Sequence, residues 1–196
     1  ALMLAAAAVI SLVLGMGMPT IGVYVLVATL IVPALVKLGV QPMAAHMFVM
    51  YYGMLSMITP PVAIGAYAAA AIAGSAPMRT GFVACRFGWM KFVVPFLFVG
   101  SPTLLMKGAT LEVIRDVLTA AIGTGFISAA MVGYFVRSIG PAKRILAGLA
   151  GLGLLIPGGE GIALWTNVCG AALALALVIM ELPGMRGAQA TGASGK

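Results

Sequence analysis

Acidic side chains are almost missing from this sequence: Glu112, Asp116, Glu160 and Glu181 are the only four in 196 residues. Charged residues together make up 8% of the chain, against roughly a quarter in a soluble domain. With 63% hydrophobic residues, the composition excludes a water-soluble globule and points to an integral membrane protein in a lipid bilayer. The four acids fall in loops or at the ends of apolar runs, so no carboxylate proton relay at mid-membrane is expected. His46 is the one histidine. No Cys, Asp or Glu stands near it at metal-ligand spacing, so it reads as a packing or interfacial residue. Cys85 and Cys169 lie far apart and form no CxxC pair, which supports neither a disulfide framework nor a metal site. They read as buried, inert thiols. There is no HExxH, GxSxG, Walker loop or acidic pair, so the chain is not expected to be an enzyme. The net charge of +7 comes from cations spread over loops and segment ends, with no dense basic run. A positive-inside bias accounts for it better than nucleic-acid binding.

What is present is long apolar sequence with two punctuated breaks. The first, Leu14-Gly15-Met16-Gly17-Met18-Pro19-Thr20, divides an apolar stretch running from Ala1 to Val36. The second, Ile58-Thr59-Pro60-Pro61-Val62, interrupts the next. Unpaired backbone in hydrocarbon costs several kcal/mol, so nearby breaks imply backbone that lines a polar site. Such interruptions are the best sequence pointer to a transporter binding site. The arms 1–14 and 21–36 are each short for a bilayer crossing and suit a re-entrant hairpin over 1–36; one long kinked helix is the other reading. Pro33 is placed to kink the second arm. After a turn at Lys37–Pro42, residues 42–74 read as a discontinuous helix, because each proline disfavours helix in the residue before it.

Residues 77–91 mix Arg79, Arg86 and Lys91 with aromatics and read as an amphipathic helix at the interface. Residues 92–106 follow as a span, and Lys107–Asp116 as a mixed-charge loop. Residues 107–182 hold additional transmembrane helices, with a basic loop at Arg137–Arg144 and a turn at Pro157–Gly161. Residues 183–196 are polar and small, which suggests a disordered tail. Placing the basic loop inside puts 79–91 inside as well and opens the hairpin toward the outer face. The chain begins in mid-apolar sequence with no basic leader, so it reads as a C-terminal piece of a longer membrane protein.

The chemistry available at the breaks belongs to the backbone. Helix C-termini expose carbonyls and helix N-termini expose N–H groups, with opposite partial charges. Carbonyls at Leu14–Gly17 and Met57–Thr59 suit a hard cation such as Na⁺. N–H groups at Thr20–Gly22 and Val62–Ile64 suit an anion. The hydroxyls of Thr20, Ser56 and Thr59 can join either role, or simply bond a carbonyl one turn back. Gly15 and Gly17 permit unusual backbone angles or close helix packing.

These residues resemble a known family. Leu14-Gly15 through Pro19, Ile31-Val32-Pro33-Ala34-Leu35, Leu38-Gly39-Val40 and above all Ile58-Thr59-Pro60-Pro61-Val62 look like the second half of the large membrane subunit of tripartite ATP-independent periplasmic (TRAP) transporters. The resemblance covers about 1–106. Residues 107–196 are similar to the tail of the fused permeases that pair with TAXI-type binding proteins. It implies an all-α integral membrane fold. That fold is an elevator half-repeat of the ion transporter superfamily, over 1–106, followed by extra C-terminal helices. It also implies Na⁺ as coupling ion, an organic anion such as a carboxylate as substrate, and a periplasmic substrate-binding protein as partner. The N-terminal half of the same permease would be a further partner, without which the fragment would not transport. The setting would be the bacterial inner membrane. Sodium would lie between the two breaks, at Gly15, Gly17, Thr20, Ile58 and Thr59 by position; Met18, Pro60 and Val62 complete the candidate site. Where many members carry a Gly and an Asn-Leu-Phe run, this chain has Ala63-Ile64-Gly65-Ala66-Tyr67, which leaves the substrate open. The competing reading is a non-transporting membrane anchor for a partner complex. An intramembrane enzyme would need a catalytic dyad outside this sequence.

Overall fold

The computed structural model describes residues 2–134, 140–156 and 162–192, with side chains of the last helix described over 165–180. Residues 135–139, which include the start of the basic loop at Arg137, the turn at Pro157–Gly161 and residues 193–196 lie outside the described residues. The chain divides into two compact units, 1–105 and 106–196. Every regular element described is helical, as an all-α membrane protein requires. Among the described residues, three helical stretches are long and apolar enough to cross a bilayer: Thr20–Lys37, Pro77–Gly100 and Thr110–Val132.

In the first unit, α1 (Leu2–Leu14) ends at the glycine-rich break, and α2 (Thr20–Leu30) starts after Pro19, whose backbone is extended. Gly17 turns the chain with φ +80, a left-handed angle that costs other L-residues about 1–2 kcal/mol. Pro33 lacks a backbone donor, and the helix bends at Ile31 into α3 (Val32–Lys37). Pro42 then occupies the first turn of α4 (Pro42–Leu55), where its missing N–H would be unpaired anyway. The chain unwinds over 56–63 and resumes as α5 (Ile64–Ala73), closed by Gly74 at φ +62. Ala63, fully buried, enters α5 with φ +33, a strained angle for a residue with a Cβ.

Helix α4 is the centre of this unit. Phe48, Val49 and Leu55 are fully or almost fully buried. Ala7 and Ala8 of α1, Val23 and Val27 of α2 and Leu35 of α3 belong to the same core. The two arms pack mainly on α4 and only sparsely on each other. On another side of α4, Phe96 meets Phe48 edge-on at 5.3 Å, and the Tyr52 hydroxyl donates to the Phe92 carbonyl. Outward residues such as Ile21, Ile72 and Phe87 are strongly exposed, as a lipid-facing surface allows.

The basic segment ends earlier than expected. α6 (Pro77–Phe87) stops at Gly88, and α7 (Met90–Gly100) begins before residue 92, so Lys91 belongs to the apolar helix. A short 3₁₀ turn, Pro102–Leu105, replaces the end of the anticipated span.

In the second unit, α8 (Thr110–Val132) starts where a loop was expected. Glu112 lies in its first turn, where a carboxylate suits the helix dipole. Asp116 is buried and pairs with Arg115 at 3.0 Å. Gly133, with φ +80, ends the helix, and Arg144 of α9 (Pro141–Leu155) donates to the carbonyls of Ala130 and Met131. A cation read from sequence as a loop charge therefore caps a helix C-terminus. The last helix, α10, runs Ile162–Gly192, so helical backbone continues through 183–192, where a disordered tail was expected. Ala, Met, Arg and Gln there are adequate helix formers. Cys169 is exposed, not buried as anticipated.

Candidate functional site

The two breaks touch. At the end of α1, Gly15 lies so close to α4 that an added Cβ would sit 2.3 Å from the Gly53 carbonyl oxygen. Gly53 is open on its other side to Val23 of α2, whose Cγ1 occupies the place of a Cβ. Glycine on both backbones therefore brings the first break against the second. Ser56, the first residue past α4, is almost fully buried, and its hydroxyl lies 2.8 Å from both the Gly15 and Gly53 carbonyls. Its single proton ties the two breaks together.

Around this junction the predicted residues separate. Gly15 is buried in it, and Met18 packs on the core beside it. Thr20 and Ile58 both line a cleft of about 440 Å³. Gly17 is exposed, with open space around it. The Thr59 hydroxyl donates to the Leu55 carbonyl at 2.7 Å, one turn back. Pro60 is covered by α6, since its ring fills the space above Gly81. Val62 is half-buried beyond the cleft. Gly88 abuts Ile58, and the Cys85 thiol reaches the Ile58 carbonyl at 3.3 Å. The segment anticipated at the interface thus forms the back of the second break.

The backbone groups also sort themselves. The Ala63 N–H bonds the Thr59 carbonyl and the Gly65 N–H the Met57 carbonyl. The second break therefore has less N–H to offer an anion than expected. Among the described residues, no backbone N–H reaches the carbonyls of Met16, Gly17 or Met18, and no side chain caps the start of α2 at Pro19. The first break keeps free carbonyls on one side and uncapped N–H groups on the other. These are the groups that suit a hard cation and an anion respectively.

Sequence reasoning missed most of the cleft. Met50, Met54 and Leu55 of α4 form an apolar wall, continued by Met57. The Tyr51 ring, held edge-on by Phe98 at 5.6 Å, adds a hydroxyl-bearing face. Lys91 is the cleft's only charged residue. A one-turn periodicity over 50, 54 and 57 was available in the sequence, but it looks the same as a lipid-facing stripe.

Ser56→Ala tests the junction. It leaves two buried carbonyls without their donor, at a cost of about 1–3 kcal/mol. The full-length protein in detergent is expected to unfold at a lower temperature than the parent. An unchanged midpoint would mean that the bond does not hold the two breaks together.

Residues 1–113 match the family described as tripartite ATP-independent periplasmic transporter, DctM component. No curated protein and no solved structure matches the chain.

Proposed function

Because the chain belongs to the DctM component family of tripartite ATP-independent periplasmic transporters, we propose that it forms half of the translocation site of a sodium-coupled permease that imports organic anions. The family is one of transporter permeases, not of enzymes. The observation that supports the finer reading is the Ser56 junction, which ties two interrupted helices together between the cleft-lining residues Leu55 and Met57. Sodium is a transported ion here, taken by the donor-free carbonyls of Met16–Met18, with the Thr59 hydroxyl oxygen as the ligand that the second break offers. A hydroxyl that donates backward to Leu55 still has lone pairs for a cation. The anion occupies the cleft between Thr20 and Ile58. A periplasmic binding protein of the TAXI type delivers the substrate, the inner membrane is the setting, and the other half of the permease completes the site. Transport proceeds by alternating access.

The test is uptake of radiolabelled organic acids into proteoliposomes containing the full-length permease and its binding protein, in Na⁺ and in K⁺ or choline. Uptake is expected only with Na⁺ and the binding protein. Thr59→Ala is expected to raise the Na⁺ concentration for half-maximal uptake several-fold. Uptake indifferent to Na⁺ and to Thr59 would remove the sodium assignment. No uptake across the panel would favour the membrane-anchor reading.

A further inference from the structure

The geometry points to Lys91 as the anchor for the substrate's single carboxylate, and to an amphipathic monocarboxylate, aryl or branched aliphatic, as the substrate class. This inference rests on the transport reading above.

Charge is the first argument. The first 111 residues contain no carboxylate side chain at all, so no acid of its own unit can neutralise Lys91. Yet Lys91 lines the cleft and is its only ionised residue. A cation at an apolar cleft with no carboxylate in its own unit recruits an anion from outside that unit, and a charge-assisted contact to a carboxylate is the strong form of that pairing. With one cation present, one carboxylate can be matched. A second would be desolvated without a partner, which is costly.

The walls give the second argument. Three methionines, Met50, Met54 and Met57, dominate the lining with Leu55 and Ile58. Methionine is flexible and polarisable, adapts to irregular apolar shapes and makes favourable contacts with aromatic rings. Only Thr20 and Tyr51 bring hydroxyls. A polyhydroxylated sugar acid would strip water from many hydroxyls and recover few hydrogen bonds. A volume of about 440 Å³ lies within the range of small-ligand sites, so a body of phenyl size fits beside its carboxylate.

The experiment is equilibrium binding of phenylacetate, isovalerate, succinate and gluconate to the full-length permease in zwitterionic nanodiscs, for the parent, Lys91→Met and Lys91→Arg. The side chain is exposed, so both variants are expected to fold, and thermal unfolding checks it. Phenylacetate and isovalerate should bind the parent at least about tenfold more tightly than the other two. Lys91→Met should weaken them about tenfold or more, and Lys91→Arg should restore most of the affinity. Preference for succinate or gluconate, binding of none of the four, or unchanged affinity in Lys91→Met overturns the inference. An effect of Lys91→Met seen only when anionic lipid is added assigns the lysine to a lipid phosphate and also overturns it. Sodium- and binding-protein-dependent uptake of some other acid would leave the transport reading standing, whereas its absence for every acid would remove both.

Discussion

Gly15→Ala is expected to reduce uptake at least tenfold, although it adds one methyl group. That methyl would lie 2.3 Å from the Gly53 carbonyl oxygen and 3.0 Å from the Gly53 Cα and carbonyl carbon. All three atoms are backbone, so no rotamer change relieves the clash, and α1 and α4 must move apart by about 1 Å. Overpacking of this kind costs about 1–3 kcal/mol in a well-packed interior. Here it also stretches the Ser56 bond to Gly15 and opens the junction whose chain neighbours Leu55 and Met57 line the cleft. The neighbouring glycines discriminate between explanations. Gly17→Ala meets open space and pays only for its φ of +80, about 1–2 kcal/mol. Gly22→Ala meets open space inside α2 and should be neutral or stabilising by up to about 1 kcal/mol. Uptake and thermal unfolding of the full-length protein should rank the three variants with Gly15→Ala worst. Parent-like uptake in Gly15→Ala would show that the two breaks do not need this contact.

The breaks were legible in the sequence because glycine and proline act locally: they remove a Cβ or a donor at the residue where they stand. Their meeting was not legible. Ser56 bonds a carbonyl 41 residues away, and neither residue carries any local mark of that partner. Lys91 was misread for a related reason. A lysine among aromatics looks the same whether it closes an amphipathic helix or opens a cleft. The difference lies in where the helix breaks, at Gly88, which is tucked against Ile58. The N–H groups of the second break were assigned to an anion from helix ends alone. The unwound stretch folds back and consumes the one at Ala63 through the Thr59 carbonyl, and the Gly65 N–H just beyond them goes to the Met57 carbonyl. Acidic residues at 112 and 116 suggested a loop because charge is rare in apolar helices. In the first turn of a helix Glu112 is stabilising, and Arg115 neutralises the buried Asp116 further along.

In the second unit, Gly151→Ala is expected to separate α9 from α8 and to lower the folded yield of the protein sharply. Helix α9 lies between two neighbours and meets each through glycine. Toward α8, a Cβ at Gly151 would fall 2.6 Å from the Gly123 carbonyl and 2.9 Å from the Ile127 nitrogen. Toward α10, a Cβ at Gly153 would fall 2.9 Å from the Thr166 carbonyl oxygen and 3.2 Å from the Gly170 Cα. In lipid there is no hydrophobic force to hold two helices together, so association depends on close van der Waals packing of small residues. A methyl at the closest point therefore removes the main attraction and adds a repulsion. Ile127 is a β-branched neighbour with few rotamers and cannot move aside easily. Gly148→Ala, one turn earlier on α9, would make only an ordinary contact with Ala130 at 3.9 Å and should be tolerated. Thermal unfolding in detergent, with disulfide trapping of cysteine pairs placed across α8 and α9, reads both variants. If Gly151→Ala melts and cross-links like the parent, glycine packing does not hold these helices together, and the burial of Phe126, Ala150 and Leu154 must suffice.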